Sequence, residues 1–362
     1  MRSVFYRFHS RTHSTANFDD DFWRHVSKMD GERNRLEAML EFDLEPVVPF
    51  RLDLTAWALR RRPRNQIDVW DGVWYSRILD LEGVRLRLAV RQNGSAQAPR
   101  LLVRFEGGAS RLSVEKLTRC VEWLLGTDFD LSAFYRLVCR EPRLQGLIDG
   151  FWGLHPPRFP TLFEAAVNAI CCQQLSLEVG LELMNRLARK AVPPEHRKTT
   201  SPLAFPRPRE VAALPMAELI EEGFSRHKAS AVLALAQMLT EKPDSLDELF
   251  AVDDDSARKR LLALKGIGPW SADYILLRGL GRVGVLPSGD VAATKSLKRW
   301  LNIDHGATHS KSKGSQHFPA SWQPFKGMIY FHLLIRNLAE RGYVDRVEQK
   351  ISARRKQRHR LR

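Results

Sequence analysis

One segment narrows the possible folds more than any other, and it runs from Leu261 to Leu301. At its centre, Leu264-Lys265-Gly266-Ile267-Gly268-Pro269-Trp270 stands between two helical patterns. Gly266 and Gly268 permit a tight turn with positive φ, and Pro269 suits the first position of the second helix. Such a turn leaves backbone N–H groups exposed at a helix N-terminus, where hydrogen bonds and the dipole both favour a phosphate. An ordinary glycine-rich helix connection would use the same residues, and a short glycine motif alone does not decide between the two. The residues that follow do. Trp270 and Tyr274 are four apart and share a helix face. After Gly279-Leu280-Gly281 and the short Val283-Gly284-Val285-Leu286 stretch comes Pro287-Ser288-Gly289-Asp290. Asp290 opens a helix whose apolar side is Ala293, Leu297, Trp300 and Leu301.

Around this segment the patterning predicts an α+β chain. From Val48 the apolar spacing has period two: Phe50, Leu52 and Leu54, then Val84, Leu86, Leu88 and Val90, then an Asn93-Gly94 turn, then Leu101, Val103 and Phe105. This predicts a small antiparallel sheet domain over 41–128, closed by a helix near 113–125. Beyond about residue 130 the pattern is helical, and 129–345 is expected to form a mostly α-helical, two-lobed domain with a cleft between the lobes. Leu162 to Gln173 reads as a buried helix, and Val179, Leu183 and Leu187 make a stripe on the next. Further helices are expected near 209–222, 227–240 and 255–264. Residues 1–40 read as a polar extension with one amphipathic stretch, 302–320 as a loop rich in Ser, His, Lys and Gly, and 346–362 as a basic tail.

Charge narrows the partner. The 362 residues carry 57 Lys and Arg against 42 Asp and Glu, a net charge of +15, which favours a polyanion. The candidates are nucleic acid and an anionic membrane surface; the apolar runs are too short for a bilayer-spanning helix, so a membrane protein is not expected. Cys120, Cys139, Cys171 and Cys172 lack CxxC spacing and clustered His, which argues against a metal site or disulfide scaffold and for an intracellular, reducing setting. The first 18 residues hold three Arg and three Ser with no acid, faintly like a transit peptide, but a basic terminus is the plainer reading.

The order of hairpin, Gly/Pro-rich loop and Asp closely resembles the helix-hairpin-helix-GPD superfamily of DNA glycosylases, and within it the family of 3-methyladenine DNA glycosylase II. The hairpin is 264–270 and the loop 286–290. Three other stretches agree: Phe163-Glu164-Ala165 through Ala169-Ile170-Cys171-Cys172-Gln173-Gln174-Leu175-Ser176, Gly223-Phe224-Ser225-Arg226-His227-Lys228-Ala229, and Trp322-Gln323-Pro324-Phe325-Lys326 with His332. The resemblance covers roughly residues 45–345.

The resemblance implies an enzyme of base excision repair that flips an alkylated purine out of duplex DNA and hydrolyses its N-glycosidic bond. It assigns the catalytic role to Asp290. As a helix N-cap this carboxylate keeps its charge, which is what a cationic glycosyl transition state needs beside it. Trp270 stands where bifunctional members carry a Schiff-base Lys, so water is the expected nucleophile and the enzyme is monofunctional. With Tyr274 it offers an aromatic wall for an electron-poor base. Expected DNA contacts are Lys265, Gly266, Ile267, Gly268 and Ser271 at the hairpin, Lys295 on the following helix, and Gln173, Gln174 and Leu175 in the loop that fills the hole left by the flipped nucleotide. Either Gln174 or Leu175 serves as wedge. Cys171 and Cys172 read as packing residues and His332 as structural. No cofactor is expected beyond a monovalent cation at the hairpin; an iron–sulfur cluster needs four cysteines near the carboxyl end, and none follows Cys172. The expected state is a monomer inside the cell, in the cytoplasm or nucleoid if the source is bacterial. A non-catalytic hairpin module and a glycosylase for oxidised or deaminated bases are the alternatives.

Overall fold

The computed structural model describes residues 39–191, 202–302 and 319–344. Most of the expected N-terminal extension, the interior of the 302–320 loop and the basic tail lie outside the described residues. Among the described residues, no helix is long and apolar enough to cross a membrane.

The amino-terminal part is a five-stranded antiparallel sheet in the order β1-β5-β4-β3-β2. Strand β1 is Leu40–Leu44; helix α1, Leu52–Arg60, precedes β2 (Val69–Trp70), β3 (Trp74–Leu81), β4 (Val84–Asn93) and β5 (Arg100–Glu106). The alternation read from the sequence is the sheet's inner face: Leu86, Leu88 and Val90 of β4 and Leu101, Val103 and Phe105 of β5 are fully buried. Register pairs Leu88 with Phe105 and Val90 with Val103. Helix α2, Val114–Leu125, covers that face with Leu117, Val121 and Leu124, and Ser113 caps it by accepting from the Lys116 amide.

The period-two reading fails at Phe50, Leu52 and Leu54, because Leu52 to Arg60 is helical. Helix α1 is buried on two sides. Leu52, Ala56 and Leu59 face the sheet core, whereas Leu54, Trp57 and Ala58 belong to a separate helical core. A helix with apolar residues on opposite faces loses its 3.6 period, and a chance alternation then reads as a strand.

After α3 (Ser132–Arg140) and α4 (Pro142–Ile148), the chain builds the first helical lobe from α5 (Leu162–Cys172), α6 (Leu177–Ala191), α7 (Pro208–Ala212), α8 (Met216–Glu221), α9 (Arg226–Glu241) and α10 (Asp254–Leu262). The single helix expected at 209–222 is two, because Pro215 sits between them in extended geometry at φ −62°, ψ 142°. Leu183 and Leu187 are buried on α6, but Val179, in its first turn, is 48% exposed. Helix α11, Pro269–Arg278, joins the lobes: Ala272, Tyr274, Ile275 and Leu276 enter the first core and Leu277 the second. The second lobe gathers α3, α4, α12 (Val291–Leu301) and α13 (Lys326–Glu340). The sheet is pinned to the first lobe by Arg77 of β3, which donates to Asp68 at 2.9 Å and to Glu164 of α5 at 2.8 Å, all three side chains being buried. Both lobes therefore meet at α11 and the loop that follows it.

Candidate active site

The hairpin is shaped by one glycine. Gly266 has φ +79°, and a Cβ there would stand 2.4 Å from the Ala231 Cβ on α9, so both the turn and the close helix approach exclude a side chain. Gly268 differs from expectation. Its φ is −96° and ψ 179°, ordinary extended geometry, and it is the N-cap of α11. Nothing lies within 4 Å of where its Cβ would be, so this glycine leaves open space in front of the helix N-terminus. Pro269 occupies the first turn, where its missing N–H costs nothing. Lys265 is exposed and donates to the Ser230 hydroxyl at 2.6 Å, and Ile267 is buried.

Two expected DNA contacts are turned inward. Gln173 donates through Nε2 to the Gly266 carbonyl and to the Ser271 hydroxyl, both at 2.7 Å, and Ser271 is 1% exposed. These side chains tie the loop after α5 to the hairpin, because the amide and hydroxyl satisfy each other in a half-buried seam. The loop itself is held by Lys228 of α9. Its ammonium donates to the carbonyls of Ile170, Cys171 and Gln173 at 2.5, 3.0 and 2.9 Å, capping the end of α5. Beyond that clamp Gln174, at φ +54°, and Leu175, 42% exposed, project at the surface. Lys295 is exposed on α12.

Asp290 is the N-cap of α12 and uses its two oxygens differently. Oδ1 accepts from the Ala293 amide at 2.8 Å. Oδ2 accepts from the Trp270 indole N–H at 3.1 Å and the Tyr330 hydroxyl at 3.3 Å. One oxygen holds the helix while the other, half-buried, is oriented by two neutral donors. The loop carrying it is anchored by Asp273 of α11, whose Oδ2 accepts from the Ser288 amide at 3.0 Å and from the Ser288 hydroxyl, while Arg258 donates to Oδ1 at 2.7 Å.

The aromatic wall stands next to that carboxylate. Trp270 and Tyr274 stack with ring centroids 5.1 Å apart at 19°. Trp270 is half-buried against the first core, whereas Tyr274 is 4% exposed and its hydroxyl accepts from Arg61 at 2.9 Å and donates to Asn168 at 3.2 Å. Burial pushes the Tyr274 phenol above its ordinary range; burial, and then the charge of Asp290, push that of Tyr330 well above it. Both therefore stay protonated donors. His332 is buried on α13, its Nδ1 paired with the Met328 carbonyl at 2.8 Å, and burial brings its pKa down to about 4. Cys171 and Cys172 are free thiols pushed up by burial, poor nucleophiles. A cavity of about 460 Å³ lined by Trp123, Thr161, Phe163, Leu246 and Phe250 shares no residue with this cluster.

Sequence reasoning placed Asp290, Trp270 and Tyr274 and missed Asp273, Arg258, Tyr330, Lys228 and Arg61. Asp273 left a signal, as an acid within the apolar run Ala272 to Leu277; the others left none that separates them from surface polar residues.

Comparison with known proteins adds an independent line. A family model described as HhH-GPD superfamily base excision DNA repair protein matches residues 167–324, which includes the hairpin, the loop and Asp290. A DNA-3-methyladenine glycosylase of Bacillus subtilis is 24% identical over 219 residues, covering 60% of this chain and 71% of that protein. DNA-3-methyladenine glycosylase 2 of Escherichia coli is 32% identical over 158 residues, covering 41% of this chain and 53% of the other. The solved 3-methyladenine DNA glycosylase of Archaeoglobus fulgidus shares the fold, with a TM-score of 0.67 at 22% identity over 81% of this chain and 97% of that one. With hairpin, loop, Asp and fold in agreement, residues 167–324 match the HhH-GPD superfamily of base excision DNA repair proteins, and the chain is similar to the 3-methyladenine DNA glycosylases.

Proposed function

We propose that this protein is a monofunctional DNA glycosylase of base excision repair, which turns an alkylated purine out of duplex DNA and hydrolyses its N-glycosidic bond to leave an abasic site. The observation that carries this is the position of Asp290: a carboxylate oxygen fixed by Trp270 and Tyr330 beside a stacked aromatic wall, in the loop after the glycine hairpin. The everted base stacks on the aromatic wall, which suits an alkylated ring. As the C1′–N bond lengthens, positive charge develops on the sugar and the Asp290 carboxylate stabilises it. Position 270 holds an indole, which cannot form a Schiff base, so water attacks C1′.

The open N-terminus of α11 in front of Gly268, with exposed Lys265 and Lys295, would hold DNA phosphates without reading sequence. Gln174 or Leu175 would enter the duplex as the wedge, on a loop held in place by the Lys228 and Gln173 clamps. A monovalent cation would suit the backbone carbonyls of the hairpin; the Gly266 carbonyl is already engaged by Gln173, so its neighbours would hold the ion. The protein would act as a monomer inside the cell. The test is incubation with duplexes that each hold one lesion, 3-methyladenine or 7-methylguanine among them, scored for abasic sites. Abasic sites at alkylated purines are expected, and duplexes that are bound but never depurinated would leave only a DNA-binding module.

A further inference from the structure

Helix α11 holds the Asp290 loop at two points. Trp270, Asp273 and Tyr274 stand three and four residues apart and share one face of that helix. Trp270 reaches the Asp290 carboxylate itself, its indole N–H donating to Oδ2 at 3.1 Å. Asp273, about one turn further on, reaches the turn that leads to Asp290. Its Oδ2 accepts from the Ser288 amide at 3.0 Å and from the Ser288 hydroxyl. The turn runs from Pro287 to Asp290 and is closed by the Asp290 amide on the Pro287 carbonyl at 3.4 Å, with Gly289 at φ +72°. Among the described residues, the two bonds from Ser288 are the hydrogen bonds that leave this turn ahead of Asp290. On its other oxygen Asp273 accepts from Arg258 of α10 at 2.7 Å.

Asp273 is 2% exposed, and a buried carboxylate is a poor means of stabilising a helix face. Its desolvation cancels much of what the pair with Arg258 gains, and an apolar side chain would pack there as well. What an apolar side chain lacks is direction. One carboxylate oxygen that accepts from the amide and the hydroxyl of the same residue holds Ser288 in both place and rotation. The orientation of Ser288 matters two residues on. Asp290 belongs to α12 through Oδ1, which accepts from the Ala293 amide at 2.8 Å, and to the turn through its own amide. A rotation at Ser288 therefore carries Oδ2 away from the Trp270 and Tyr330 donors at 3.1 and 3.3 Å, where hydrogen bonds weaken steeply with angle.

We infer that Asp273 is a positioning residue for base excision: through Ser288 it sets the distance and angle at which the Asp290 carboxylate meets the sugar of the everted nucleotide. This rests on the glycosylase reading above. A carboxylate that stabilises a developing sugar cation is effective because it already stands in place when the C1′–N bond lengthens. A misplacement of about 1 Å costs about 10²-fold in rate, even when its cause lies away from the reacting atoms. Asp273 touches neither base nor sugar in this role. Its whole effect passes through Ser288 to Asp290, so it has nothing to aim once the Asp290 charge is gone.

A double-mutant cycle tests this, read as single-turnover release of 3-methyladenine or 7-methylguanine from a duplex saturated with the full chain, together with affinity for the same duplex. Asp273→Asn turns an NH2 toward either Ser288 or Arg258. It is expected to lower the rate by about 10²-fold and to leave affinity unchanged. Ser288→Ala, at an exposed position, keeps the amide bond and loses only the hydroxyl, so the rate should fall the same way by less. It decides the matter if Asp273→Asn does not fold. In an Asp290→Asn background, either substitution should leave the remaining rate where it is. The same fold-loss in both backgrounds, a loss that falls on affinity rather than rate, or wild-type excision by the folded variants makes Asp273 a structural residue and overturns the inference. Each of these leaves the glycosylase reading standing. A wild type that releases neither base overturns that reading, and the inference with it.

Discussion

Replacing Asp290 by Asn separates its two jobs. The Asn carbonyl keeps the cap on α12 by accepting from the Ala293 amide, now 2.8 Å from Oδ1. At the other position an NH2 replaces the oxygen that accepts from Trp270 and Tyr330. The phenol can turn and accept, but the indole N–H cannot, so one half-buried donor loses its partner. Leaving a buried donor unpaired costs about 1–3 kcal/mol, and the half-buried setting puts this case near the lower end. Stability should therefore fall by about 1 kcal/mol while the fold survives.

The chemistry should suffer far more. Removing one preorganised electrostatic group aimed at a developing charge costs roughly 3–4 kcal/mol, or about 10² to 10³ in rate. Ground-state affinity for the lesion duplex should hold or rise slightly, because a carboxylate near phosphates is mildly repulsive. Single-turnover release of an alkylated purine, binding to the same duplex and a thermal melt read the three quantities separately. Asp290→Ala provides the control, since it also loses the cap and should lose about 1 kcal/mol more stability. Excision at the wild-type rate by the Asn variant would reduce Asp290 to a helix cap.

Gly266→Ala should both destabilise the fold and weaken binding to every duplex, because it forces a side chain into φ +79° and against Ala231; Gly268→Ala, in open extended backbone, should change stability by less than about 0.5 kcal/mol, and thermal melts of the two variants reverse this order if the hairpin geometry is wrong. Treated DNA should keep an intact backbone until alkali is added, and borohydride should trap no covalent adduct, since Trp270 replaces the amine; a trapped adduct would direct attention to Lys265 or Lys295. Burial holds His332 at a pKa of about 4 in the fold against an ordinary 6.5 when unfolded. The unfolded chain therefore binds the proton first, and stability should decline as pH drops from about 6.5 toward 4, by up to about 3 kcal/mol. Urea midpoints across that range should fall less steeply for His332→Asn, and identical slopes would contradict the assignment.

The legible parts of this chain are those where backbone geometry restricts the residue. Gly266, Pro269 and Asp290 are each nearly dictated by a turn, a first helical position and an N-cap, so the segment that carries the hairpin and the Asp290 loop announces itself. The sheet was readable because its strands have one apolar face. Residues whose role is set by what packs on them from elsewhere could not be read. Helix α1 passes for a strand until the second lobe and the sheet are both known to flank it. Arg61 lies within Arg60-Arg61-Arg62, which has the look of a solvated charge run. Arg62 does reach the surface pair with Glu178, while its neighbour is driven inward by the left-handed turn that ends α1. Gln173 and Ser271 carry the polar groups of DNA contacts, yet they spend them on each other across the seam between α5 and the hairpin. In each case the local residue type is compatible with both surface and interior. Only the partner, 98 residues away for Gln173 and 213 for the Arg61–Tyr274 pair, decides which side it faces. The Asp290 carboxylate is fixed by its own helix, whereas Arg61, Asn168 and Tyr274 are brought together from three separate parts of the chain, so their association is the least legible part of this region.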